Sequence, residues 1–70
     1  MLGIRITLSP PTRKELARML RHAEQSGELR TATRLMALLA VADGDGYAQS
    51  ASLLQVSAES IRLWVKAFVL

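Results

Sequence analysis

The chain contains no cysteine. That one absence removes disulfide staples, thiolate metal sites and thiol nucleophiles together, and it fits a reducing compartment. Aromatic residues are nearly as scarce, with only Tyr47, Trp64 and Phe68 present. A core built mostly from Leu, Ile, Val, Met and Ala favours helices over a sheet sandwich. Long apolar runs are also missing. The longest, LMALLAVA at 35–42, falls far below the ~20 residues that span a bilayer, and the opening MLGIRITLSPP is too short for a signal-peptide core. The composition therefore implies a protein with no membrane attachment, located in the cytoplasm. There is no paired carboxylate set, no Gly-rich phosphate loop before a helix and no nucleophile with a base, so an enzyme is the weakest reading and no catalytic residue, metal or cofactor is assigned.

Seventy residues without an internal repeat allow one domain, 1–70, and one small core. The net charge of +3 is unevenly spread. Residues 1–34 hold Arg5, Arg13, Lys14, Arg18, Arg21, Arg30 and Arg34 against Glu15, Glu24 and Glu28, whereas residues 35–70 hold Arg62 and Lys66 against Asp43, Asp45 and Glu59. A polyanion would thus be held electrostatically by the first half.

Residues 1–8 alternate Leu2, Ile4, Ile6 and Leu8 with Gly3, Arg5 and Thr7, the period of an extended segment with one apolar face. Ser9 followed by Pro10 and Pro11 marks a helix start, with Thr12 and Glu15 offering a capping box as a second possible start. Leu16, Met19, Leu20 and Ala23 then recur at helical spacing, and Gly27 stops the helix, giving a first helix over 10–26. His22 lies among polar residues with no partner at a ligand spacing and reads as an exposed histidine.

A second helix is expected over 28–43, opening on an acid that suits the helix dipole. Its second half is apolar on nearly every side, through Leu35, Met36, Leu38, Leu39, Val41 and Ala42. Such a segment must be surrounded, either by the other helices or, on one face, by a second subunit. Asp43, Gly44, Asp45 and Gly46 form a turn. Its acids resemble part of a calcium loop, but the glutamate required at the twelfth position falls on Leu54.

The remainder reads as a short helix over 47–54, a three-residue turn and a closing helix over 58–68. Ala51 is small where two steeply crossing helices must approach closely. Ser57 supplies an N-cap, with Ser60 three residues on. Ile61, Trp64, Val65 and Phe68 form an inward stripe at i, i+3, i+4 and i+7. The opposite side shows Glu59, Ser60, Arg62, Leu63 and Lys66. In a major groove, Ser60 and Arg62 would reach base edges, Arg62 suiting guanine through its planar fork, and Lys66 would meet phosphate. On an ordinary helix, Arg62 and Lys66 would be solvated charges. Arg30 and Arg34, one turn apart, would clamp a phosphate or stand as a solvated pair.

From Ile6 to Phe68, the lead-in ITLSP, the long helix ending in LLAVADG, the phrase YAQSASLLQVS and the close SIRLWVKAF resemble the N-terminal homeodomain-like helix-turn-helix region of insertion-sequence transposases related to mariner-like elements. The resemblance implies an all-α bundle of about four helices with a C-terminal helix-turn-helix and a short extended N-terminal segment. It also implies binding of terminal inverted repeats in double-stranded DNA in a prokaryotic, nucleoid-associated setting, while cutting belongs to a separate acidic-triad domain that uses magnesium and is not among these residues. The DNA-contacting set is then Ser57, Glu59, Ser60, Arg62, Leu63 and Lys66, with Arg30 and Arg34. Ser50 stands where that family's pattern usually has an aliphatic residue and Gln55 where its turn usually has glycine. Gln at positive φ carries roughly 1 kcal/mol of strain, so a distorted turn is expected, and the loss of an apolar anchor at Ser50 is expected to loosen the third helix. The alternatives are a small transcriptional regulator or an oligomerisation module, a homodimer formed through residues 35–41 or through the segment 4–8.

Overall fold

The computed structural model describes residues 7–69. They form four helices, α1 (Pro10–Gln25), α2 (Leu29–Ala42), α3 (Tyr47–Leu54) and α4 (Ala58–Val69), with no strand among the described residues. The extended lead-in 1–8 lies outside the described residues except for Thr7 and Leu8, and so does most of the segment 4–8 considered for pairing.

Each helix begins and ends for a local reason. Ser9 caps α1, its hydroxyl accepting from the Thr12 amide at 3.4 Å and donating to the Thr12 hydroxyl at 2.9 Å, with Pro10 and Pro11 in the first turn where no donor is lost. The alternative capping box on Thr12 is not used: Glu15 instead pairs with Arg18 one turn on. At the far end, the Glu28 amide donates to Ala23 O at 2.9 Å and the Gly27 amide to Glu24 O at 3.3 Å around Gly27 at φ 73°. This is the Schellman closure, which needs a residue in the left-handed region. The same closure ends α2, from Asp45 to Ala40 O (3.1 Å) and from Gly44 to Val41 O (3.0 Å), around Gly44 at φ 96°. Glu28 takes the cap position of α2 but its carboxylate makes no capping bond.

α2 is the central element, and it buries two faces. Ala37, Leu38 and Val41 join Ala51 of α3 and Ile61 and Val65 of α4 in the main core. Four other apolar residues are buried outside that cluster, Leu16 and Ala23 of α1 with Ala32 and Leu35 of α2. At 100° per residue the centres of these two sets lie about 140° apart around α2, and among the described helices α1 packs against α2 alone. Leu35, Leu38 and Val41, considered above as a dimer surface, are thus covered by the chain's own helices, leaving Met36 and Leu39 half-buried. A bidentate pair clips the start of α1 to the end of α2, the Arg13 guanidinium meeting both Asp43 carboxylate oxygens at 2.6 and 2.9 Å.

Candidate nucleic-acid interface

α3, the turn at 55–57 and α4 make the helix-turn-helix. Its crossing is set by Ala51, buried against Ile61 and Val65, the last two fully inaccessible. The turn is the third Schellman closure in the molecule: Val56 donates to Ala51 O at 3.0 Å and Gln55 to Ser52 O at 3.4 Å. Gln55 adopts φ 58°, ψ 43°, as the sequence required, and it is the only described residue other than glycine at positive φ. The expected distortion is absent. Both closing bonds form, so the cost of Gln55 is carried by its own backbone conformation rather than by the turn geometry.

Ser50 faces inward at 1% exposure, and its hydroxyl has no hydrogen-bond partner among the described residues. It therefore occupies the anchor position of α3 without supplying the apolar contact that position offers. The third helix keeps its form nonetheless, because Ala51, with Leu54 and Tyr47 packed at the core's edge, holds it in place.

The N-terminus of α4 is capped as expected. Ser57 Oγ accepts from the Ser60 amide at 3.0 Å, and the Ser57 and Ser60 hydroxyls lie 2.8 Å apart. Ser60 is half-buried and engaged with this cap, so it is less free to reach outward than its spacing suggested. Glu59, Arg62, Leu63 and Lys66 are all exposed, with Leu63, 54% exposed, at one edge of the outward arc and Arg62 at the other. Arg62 pairs with Glu59 one turn back. The face thus presents one reader held by an internal carboxylate, one apolar contact and one cation with no ion pair among the described residues, a set able to meet a base edge, a thymine methyl and a phosphate respectively.

Two sequence expectations shift. Phe68 is 39% exposed, because one turn beyond Val65 the inward stripe runs past the core cluster. Trp64 is half-buried rather than enclosed, and the Arg34 guanidinium lies over its ring, 5.6 Å from the centroid. Arg62 and Trp64 diverge by about 160° around α4. Arg30 and Arg34 therefore do not share the outward face with Arg62 and Lys66. They line a separate groove of about 310 Å³ with Leu29, Thr33, Val56 and Trp64. Neither the Arg34–Trp64 contact nor the Arg13–Asp43 clip was read from the sequence; both join residues 30 apart, where no spacing rule applies.

No group of His, Asp and Glu side chains among the described residues is arranged to hold a metal ion, and no described helix is long and apolar enough to cross a membrane. Comparison with known proteins adds one match. The model of a family described as a homeodomain-like domain fits residues 28–69, which take in α2, α3 and α4 and leave α1 outside, a narrower span than the resemblance from Ile6 to Phe68. No curated protein and no solved structure matches the chain. With three helices in the order and crossing described, and more than half of its length matched, the chain belongs to the homeodomain-like helix-turn-helix family.

Proposed function

We propose that the chain binds double-stranded DNA through α4, with Arg62 and Glu59 reading base edges, Leu63 making apolar contact and Lys66 meeting phosphate, and that it serves as the terminal-repeat recognition part of a transposase or of a relative without the cutting domain. The observation that carries the DNA reading is the outward face of α4. It is rigidly supported by the Ala51 crossing and the Ser57 cap, and it holds polar and charged residues that the protein's own core does not use. Helices of this kind enter the major groove by their N-terminal portion, which here carries Glu59, Ser60 and Arg62. Ser57 and Ser60 act first as the cap that fixes the angle of the helix, and their hydroxyls face phosphate only if that cap reorganises.

Titration with duplex DNA at low salt should shift the amide resonances of residues 57–66, and the shifts should fade as salt rises, with a slope of about 0.9 per phosphate contact. Unshifted resonances at low salt would end the DNA reading. The transposase part rests on the sequence resemblance, and the genomic sequence downstream tests it. A reading frame there with spaced Asp and Glu residues of an acidic triad supports it, and its absence reduces the role to that of a small regulator.

A further inference from the structure

The homeodomain-like unit is electrically balanced. Residues 28–69 hold Arg30, Arg34, Arg62 and Lys66 against Glu28, Asp43, Asp45 and Glu59, a net charge of zero. Within that unit Arg62 is paired with Glu59 and Arg34 is committed to the Trp64 ring. Affinity for duplex DNA comes in large part from cations that replace the counterions condensed on phosphates, and a neutral unit has little of that to offer. The entire surplus of the chain lies in residues 1–27, where Arg5, Arg13, Lys14, Arg18 and Arg21 face Glu15 and Glu24.

α1 presents that surplus in an ordered way. Its buried side, Leu16 and Ala23, packs on α2, and Arg13 is spent on Asp43. On the opposite side Lys14, Arg18, Arg21 and Gln25, at i, i+4, i+7 and i+11, fall within an arc of about 60°, and all four are exposed. No carboxylate lies within that arc. Glu15 reaches its edge and pairs with Arg18, while Lys14 and Arg21 make no ion pair among the described residues. The ridge from Lys14 to Arg21 is about 10 Å long, a length over which duplex DNA presents about six phosphate charges. A membrane-surface helix would need large apolar side chains on its free face, whereas here Leu16 and Ala23 are turned onto α2 and the one large apolar side chain that the described part of α1 exposes, Met19, lies about 130° around the helix from the ridge.

We infer that the outward ridge of α1, formed by Lys14, Arg18 and Arg21, is a phosphate-contacting surface that supplies the electrostatic part of DNA binding which the homeodomain-like unit lacks. The inference rests on the DNA reading above and adds to it a division of labour: α4 reads, and α1 holds. Arg18 contributes with its partner Glu15 displaced to the side, and Lys14 and Arg21 contribute outright.

The test uses the whole chain and its double variant Lys14→Gln with Arg21→Gln, two exposed replacements by a good helix former. Binding to a duplex of about 20 base pairs is followed across salt, with amide shifts recorded for both proteins. Each lost phosphate contact lowers the slope of log affinity against log salt by about 0.9. The double variant should thus lose nearly two units of slope, and the wild-type drop in affinity between about 50 and 200 mM salt should exceed the variant's by about tenfold. Shifts in α4 should persist in both proteins. An unchanged slope with α4 still shifting overturns the inference and leaves the DNA reading standing, whereas wild-type protein without any shift on DNA overturns both. Poly-glutamate shifting α1 as strongly as DNA at equal charge would assign the ridge to acidic protein partners and overturn the nucleic-acid assignment.

Discussion

Replacing Ser50 by alanine should stabilise the protein. The side chain is 1% exposed and its hydroxyl has no partner among the described residues. A buried polar group left unpaired costs about 1–3 kcal/mol relative to its solvated state. Taking the low end, because a hydroxyl is small and rotates, deletion of Oγ returns about 1 kcal/mol. Alanine also gains about 0.5 kcal/mol over serine in helix propensity. Together these give about 1.5 kcal/mol, and in a domain of this size that raises Tm by about 6–12 °C. Urea and thermal unfolding followed by circular dichroism measure it. Ser52→Ala is the internal control, since Ser52 lies on the same short helix but is exposed and reports propensity alone. The reasoning fails if Ser50→Ala gains no more than Ser52→Ala, because the Ser50 hydroxyl would then be satisfied in solution.

Gln55→Gly should gain about 1 kcal/mol by relieving left-handed backbone, less the extra flexibility glycine gives the unfolded chain, while Gly27→Ala and Gly44→Ala should each lose about 1 kcal/mol for the mirror reason. A methyl at Gly27 or Gly44 meets nothing within 4 Å, so a larger loss in urea unfolding would point to something other than φ. Glu59→Gln frees Arg62 and removes a negative charge from the outward face of α4. At low salt, affinity for duplex of arbitrary sequence should rise several-fold by fluorescence anisotropy while discrimination among sequences falls with the loss of a base contact, and unchanged discrimination would leave Glu59 as the partner of Arg62 alone. Arg34→Gln removes the cation over Trp64, the only tryptophan. The emission of that residue should change while stability falls by no more than about 1 kcal/mol, the worth of an exposed cation–π contact; unaltered emission would mean that the guanidinium does not sit over the ring in solution.

What could be read from the residues, and what could not, divides by range. Serine before two prolines, glycine after a polar helix and serine before Ala58 are local signals, and they place helix starts and stops because capping is decided within four or five residues. Positive φ at Gln55 came only through the resemblance, whose turn usually carries glycine there. The outward placement of Glu59, Arg62, Leu63 and Lys66 followed from period alone. The errors arise where the answer depends on how far one helix runs alongside another. Phe68 continues the stripe of Ile61 and Val65 but outruns the core, and Arg34, spaced as if to clamp a phosphate with Arg30, finds the Trp64 ring instead. Nor could spacing show that, among the described helices, α1 leans on α2 alone, because which helix receives the buried face of Leu16 and Ala23 is a matter of helix order in space.

That one-sided attachment of α1 bears on how the molecule opens. Its apolar support is Leu16 and Ala23 against a single neighbour, fastened by a solvent-accessible guanidinium and carboxylate. Because α1 touches neither α3 nor α4 among the described residues, it can part from α2 without disturbing the helix-turn-helix, so its amide protons should exchange as a group. Added salt should hasten this release by weakening the Arg13–Asp43 clip. A duplex gripping the first helix would slow it, and hydrogen exchange would then report occupancy of that helix without any label.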